Sequence, residues 1–239
     1  MNNVIAIIPA RSGSKGVKDK NIKKLHGHSL LEWSINAAKR SQLIDRVFIS
    51  TDSVEYARIG KELGAEVPFL RPNDISGDSA SDLDFIIHAI EEFNKMYLYP
   101  EYLVHIRPTT PIRDPTIIDD AISLFQNNNQ FNSLRSVHKM SESSYKTLEI
   151  NNGGLTPLSL FSEIEIDPNG PRQNFPDTYQ ANGYVDVLSA SFIIQNQKIH
   201  GKKILPFITD PAYEVDSIKD FDFLEYLALT SQEIIKKLF

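Results

Sequence analysis

Apolar positions fall into two alternating rhythms along the first half of the chain. Short apolar runs near residues 4–8, 46–50 and 102–106 predict strands. Between and after them, apolar residues return at three- and four-residue spacing near 29–41, 53–63, 81–96 and 115–127, the pattern of amphipathic helices. Strand–helix alternation predicts an α/β protein whose sheet is parallel and covered on both faces. Ser29 with Glu32, and Asp52 with Glu55, have the spacing of a capping box. Asp114–Pro115 sets an N-cap before a proline at the first helical position. Ser217 with Asp220 predicts the start of a final helix running to the C-terminus.

From about Leu134 to Ala190 the helical rhythm stops. The stretches "FNSLRSVHKM", "YKTLEI" and "GYVDVLSASFII" predict strands, and "NNGGLTP" and "DPNGPRQNFPD" predict turns. The expected organisation is a single domain over residues 1–239 with a β-rich arm inserted at about 134–190. Phe161 and Phe175 are expected as exposed apolar residues of that arm that need a partner surface, which points to a homodimer.

Composition narrows the function classes. The 239 residues contain no cysteine, so disulfides, thiolate metal sites and thiol catalysis are excluded, in keeping with a cytoplasmic protein. No apolar run approaches the ~20 residues of a membrane span. The N-terminal apolar run lacks the basic flank and the length of a secretory signal. A net charge of -6 argues against broad nucleic-acid binding.

Against that acidic background, Arg11, Lys15, Lys18, Lys20, Lys23 and Lys24 crowd the stretch after the first strand. The connection to the helix at Ser29 exceeds the ~12–15 residues beyond which a structureless loop is usually functional or disordered. In "SGSKG", backbone N–H groups can turn inward as an anion nest. Arg11 offers a planar fork to phosphate oxygens and Lys15 a point charge. The loop leaves the carboxyl end of a strand, where doubly wound sheets bind ligands. The spacing is neither that of a P-loop nor that of the dinucleotide fingerprint. From charge alone, a polyphosphate cradle and a solvated basic loop stand about even.

The segment "IIPARSGSKGVKDKNIKKLHGHSLLEWSI" resembles the opening of the acylneuraminate cytidylyltransferase family, with its A-R-x-x-S-K-G, its K-N pair and a glycine before the first helix. The segments "VFISTDSVEYARIGKELGAEV", "FLRPNDISGDSASD", "RPTTPIRDP", "PRQNFP", Asn182–Gly183 and "EVDSIKDFDFLE" continue in the family's order, so the resemblance spans essentially the whole chain. It implies a three-layer α/β/α, Rossmann-like nucleotidyltransferase with a mostly parallel sheet and a small dimerisation arm. The implied reaction joins the anomeric hydroxyl of a nine-carbon 2-keto-3-deoxy sugar acid to the α-phosphate of CTP, with Mg²⁺, and releases pyrophosphate.

The resemblance also implies roles. Arg11, Ser14, Lys15 and Asn21 would hold the triphosphate and nucleotide, with Arg71, Ser79 and Ser81 beside them. Asp82 departs from the small hydroxyl residue of many relatives and is read as a helix N-terminal acid. Glu214 and Asp216, two apart in an extended segment, point to one side and suit Mg²⁺, although the family usually has two aspartates there. Arg11, Lys15 and the metal would neutralise charge, and Asp216 or solvent would take the hydroxyl proton. Around the acceptor the resemblance places Arg107, Thr109, Thr110, Asn182 and Asp186, with Lys146, Arg172 and Gln173 contributed by the arm. Arg107 stands where relatives have glutamine, and Asp186 where they have an aromatic residue. The two either pair with each other or read a sugar with different substituents. An enzyme acting on an eight-carbon acid of the Kdo type, or an inactive nucleotide-binding module, are the competing readings.

Overall fold

The computed structural model describes residues 3–13, 16–158, 167 and 169–239. The first strand, β1 (Val4–Pro9), shows why its apolar run is unbroken. Val4, Ala6 and Ile8 face one core and Ile5 and Ile7 the other, so both faces of the strand are dry. A two-stranded ribbon, β2 (Lys24–Leu25) and β3 (His28–Ser29), leads into α1 (Leu30–Arg40). Then come β4 (Arg46–Ser50), α2 (Val54–Glu62), α3 (Asp82–Lys95), β5 (Tyr102–His105), α4 (Pro115–Gln126) and β6 (Ser133–Lys139). After the arm follow β9 (Tyr179–Ser189), α5 (Ala190–Asn196), β10 (Ile204–Ile208), α6 (Ile218–Thr230) and α7 (Gln232–Leu238).

Six strands form the central sheet in the order β10-β6-β9-β5-β1-β4. β1 runs parallel to β4 and β5, and β10 parallel to β6, while β9 is antiparallel to both its neighbours. Helices α1, α2, α4, α6 and α7 cover one face, and α3 and α5 the other. The expected three-layer α/β/α architecture is the one found. Among the described residues, no helix is long and apolar enough to cross a membrane.

Several local expectations need correction. The ends of the 134–190 stretch belong to the main sheet: β6 and β9 pair there, and β9 lies at its centre. The described residues between them that leave the sheet include the hairpin β7 (Leu148–Asn151) and β8 (Gly154–Pro157). Asn152 and Gly153, at φ of 50° and 80°, make its two-residue turn, the left-handed pair that matches strand twist. Phe175 is buried, with the Lys146 ammonium 5.4 Å from its ring centroid, and Phe161 lies outside the described residues. The exposed apolar residues of the arm include Leu148, Ile150 and Leu155 instead.

The end of "GYVDVLSASFII" is helical, because the Ser189 hydroxyl accepts from Phe192 N–H and starts α5. The final helix breaks at Ser231 into α6 and α7. Ser29 does cap α1 by accepting from Glu32 N–H, but the Glu32 carboxylate turns to His28. α2 is capped by Ser53, not Asp52, whose carboxylate is used elsewhere.

Candidate functional site

The basic loop after β1 is held in place by buried polar contacts. Asp52, at the carboxyl end of β4, accepts from both the backbone N–H and the hydroxyl of Ser12, at 2.7 and 2.6 Å. Asn21 is buried and its amide donates to the Arg11 carbonyl at 3.0 Å. Asp19 has the left-handed φ of 51°, and the Tyr56 hydroxyl donates to its carboxylate at 3.2 Å. Burial, reinforced by Asp19, holds the Tyr56 phenol above its ordinary pKa, so it remains a donor.

That turn aims Lys20 at a second segment. Its ammonium donates to the Val215 carbonyl at 2.6 Å and lies 3.4 Å from the Asp216 carboxylate. Gly16 passes so close that a Cβ would lie 2.5 Å from the Asp216 carbonyl oxygen. Val215 is fully buried, and its N–H donates to the Thr109 carbonyl at 2.8 Å. With Val215 turned inward, Glu214 and Asp216 open together onto the cleft. The Thr109 hydroxyl donates to Glu214 at 2.6 Å.

The opposite wall is cationic. Arg71 is buried, donates to the Ser50 hydroxyl and carbonyl at 3.0 and 2.8 Å, and stacks 4.6 Å from the Phe85 ring centroid. Burial lowers its pKa to about 10, which leaves it charged at neutral pH. Arg11 pairs with Asp78 at 2.9 Å. Ser81 caps α3 in a reciprocal box with Asp84. These walls enclose about 490 Å³, bounded by Arg11, Asn21, Arg71, Asp82, Arg107 and Asp216 among others. A larger groove of about 730 Å³ lies between α4, β10 and the last two helices. Its lining carries Asp120 and Asp210 but no lysine or arginine, so it offers no cation to a phosphate.

Beneath the cleft lies a buried charge cluster. Arg107 donates one Nη to Asp186 at 2.8 Å and the other to Asp82 at 2.9 Å. Asp186, 1% exposed, sits in cross-strand register between His105 on β5 and Arg135 on β6. The His105 ring is fully buried without a hydrogen-bond partner. Burial, aided by Arg107, Arg113, His200 and Arg135, holds it well below the usual histidine pKa, hence neutral. Arg113, also fully buried, donates to the carbonyls of Arg107, Gly183 and Tyr184 at 2.7, 2.9 and 2.6 Å. Burial lowers its pKa to about 9.

The expected site residues divide accordingly. Arg11, Asn21, Arg71, Ser81, Arg107, Thr109, Glu214 and Asp216 meet in one cleft, with Asp186 under its floor. Asn21 does so as a brace, its amide committed to the loop backbone. Ser14 and Lys15 lie outside the described residues. Ser79 is exposed and does not line the cleft. Thr110 is buried beneath Gly183, whose φ is 66° and whose Cβ would lie 3.1 Å from the Thr110 hydroxyl. Asn182 does not line the cleft; its amide donates to Thr209 and its oxygen accepts from Tyr184 N–H. Lys146, Arg172 and Gln173 stand on the arm, away from this chain's own cleft lining.

Sequence reasoning missed Asp52, read as a helix cap, and Arg113, hidden at the end of "RPTTPIR". It passed over Lys20, although the lysine of the K-N pair was its signal.

The donor set of Glu214 and Asp216 fits a hard divalent cation that completes its shell with water and phosphate oxygens. Among the described residues, no group of three or more such side chains could hold a metal without help from substrate.

Residues 5–151 match the profile of a family described as cytidylyltransferase. The N-acylneuraminate cytidylyltransferase of Escherichia coli O18:K1:H7 is 31% identical over 96% of this chain and 52% of its own. The chain thus spans about half the length of that relative. The CMP-N,N'-diacetyllegionaminic acid synthase of Legionella pneumophila is 29% identical over 97% of this chain and 99% of its own. A solved structure of CMP:2-keto-3-deoxy-manno-octonic acid synthetase complexed with CTP superposes with a TM-score of 0.72 at 12% identity, covering 97% of this chain and 100% of that one. At that identity the likeness speaks for the fold.

Proposed function

Because this chain belongs to the cytidylyltransferase family, we propose that it couples CTP to the anomeric hydroxyl of a sialic-acid-like 2-keto-3-deoxy sugar acid. The observation that carries the reading is the meeting of Arg11, Lys20 and Arg71 with the Glu214–Asp216 pair in one cleft at the carboxyl ends of β1 and β5. Curated relatives named for N-acylneuraminate and diacetyllegionaminate favour a nine-carbon acceptor over an eight-carbon one.

In the reaction, the hydroxyl oxygen attacks the α-phosphorus of CTP. The bond from that phosphorus to the bridging oxygen breaks, and pyrophosphate leaves with the electron pair. The chain's task is chiefly to position the phosphates and neutralise their charge. Arg11 and Lys20 would face the phosphates and Arg71 the nucleotide, while Ser12, Asn21 and Asp52 hold the loop that carries Arg11. Glu214 and Asp216 would hold Mg²⁺, which supplies charge neutralisation when bound. Asp216, whose side chain is mostly exposed, or solvent would take the hydroxyl proton. A cytoplasmic homodimer belongs to the same proposal, with Lys146, Arg172 and Gln173 reaching the cleft of the second copy.

A pyrophosphate-release assay tests the proposal, with CTP, ATP, GTP or UTP against a panel of eight- and nine-carbon 2-keto-3-deoxy acids. Release that requires both CTP and a nine-carbon acid is the expected result. Release with the eight-carbon acid alone would move the reading to the Kdo type, and none with any acid would leave a binding module.

A further inference from the structure

We infer that Asp82 holds down the acceptor site's affinity for an acid, because its carboxylate occupies the Arg107 Nη that Asp186 leaves free and that an acceptor's carboxylate would need. The inference rests on the function proposed above and names a residue that no part of that reading uses.

Arg107 is fixed on three sides. One Nη is bonded to Asp186, which is 1% exposed and wedged between β5 and β6. Its carbonyl accepts from the buried Arg113 at 2.7 Å. Arg107 lines the cleft, and its other Nη meets Asp82 at 2.9 Å. The Asp82 side chain is 43% exposed.

The two carboxylates differ in their freedom to leave. Asp186 is almost wholly enclosed. Asp82 stands in the first turn of α3, where the helix dipole favours a carboxylate facing solvent. It does not cap that helix, since Ser81 and Asp84 form the capping box, so its release costs α3 no hydrogen bond. Charge balance requires a replacement. Arg107, Arg113 and Arg135 surround this point, while His105 is held neutral. Without Asp82, Asp186 would be the one carboxylate among the described residues in direct contact with Arg107, so an incoming anion is drawn to the vacated Nη. A carboxylate has the shape and charge for it. Asp82 therefore competes with the acceptor's carboxylate, which must displace it from Arg107, whereas a neutral sugar has nothing to displace.

The test compares the wild-type chain with Asp82→Asn, Arg107→Gln and the double variant. Pyrophosphate release and calorimetric titration in the presence of CDP are both measured, using N-acetylneuraminate and its methyl ester as probes. Asp82→Asn is expected to lower KM and Kd for the acid about three- to tenfold, the size of a partly exposed ion pair, with the KM for CTP unmoved. The methyl ester gains nothing, and in the Arg107→Gln background the Asp82 substitution has no effect. A gain shared by the ester, a gain that persists without Arg107, or no gain in either measurement would overturn the inference. A chain that binds the acid more tightly as Asp82→Asn but releases no pyrophosphate in any form would instead refute the proposed reaction.

Discussion

Arg107 and Asp186 form a 2.8 Å ion pair under the cleft floor, with the carboxylate almost wholly withdrawn from solvent. The pair joins the loop after β5 to the centre of β9, so it holds this wall of the cleft to the sheet. Removing Asp186 leaves the buried Arg107 with the half-exposed Asp82 alone, and loss of one partner of a buried pair costs up to about 3–5 kcal/mol. Asp186→Asn is therefore expected to lower Tm by on the order of 10 °C. Adding Arg107→Gln should recover part of the loss. Thermal denaturation of the two single variants and the double variant measures this, and simple additivity would count against a direct pair.

Gly16 is required by a close approach to backbone, not by its φ. A Cβ there meets the Asp216 carbonyl at 2.5 Å, and a backbone oxygen has little room to yield. Gly16→Ala should push the basic loop away from Glu214 and Asp216, reducing kcat/KM at least about tenfold with little change in Tm. Activity near that of the wild type would show that the two segments need not meet.

His105 makes stability depend on pH. Burial lowers its pKa in the folded protein, so between that value and the unfolded value near 6.5 the unfolded chain binds the extra proton. Its contribution is therefore complete above about pH 6.5 and is lost as pH falls, with a slope of up to about 1.4 kcal/mol per pH unit. His88 and His200 are lowered by burial as well and act in the same direction. Denaturant titrations from pH 7.5 to 5 should give a shallower acid decline for His105→Asn than for the wild type. An unchanged decline would remove His105 from the account.

Asp216 and Glu214 are not equivalent. Thr109 donates to Glu214, while Asp216 lies beside Lys20 with its side chain 78% exposed. Asp216→Asn should reduce activity by about a hundredfold or more and raise the Mg²⁺ needed for half-maximal rate. Glu214→Asp, which keeps the carboxylate and shortens the side chain by one methylene, should be tolerated within a few-fold. Mg²⁺ titrations of the initial rate distinguish them, and equal sensitivity would contradict the assignment.

Much of this arrangement was legible in the sequence for physical reasons. Strands dry on both faces, such as Val4–Pro9, leave unbroken apolar runs, and the helices around them keep a 3.6-residue rhythm. The opposite charges of Arg107 and Asp186 left two readings, a mutual pair or contacts to the sugar, and the structure pairs them. The central place of β9 was hidden, because a strand's neighbours depend on tertiary pairing and its punctuated surroundings looked like an arm. Asp52 was misread because Asp-x-x-Glu imitates a capping box, whereas the true cap is the next residue and Asp52 holds Ser12. Arg113 gave no signal of its own, since its partners are backbone carbonyls brought together only by the fold.

The most direct measurement of the central claim is mass spectrometry of the products formed from CTP, Mg²⁺ and a nine-carbon 2-keto-3-deoxy acid, with pyrophosphate counted in parallel. The account predicts a CMP-linked sugar acid and pyrophosphate in equal amounts, both dependent on Arg11 and Asp216. Pyrophosphate without the CMP-linked acid, or no product with any acid of the panel, would contradict it.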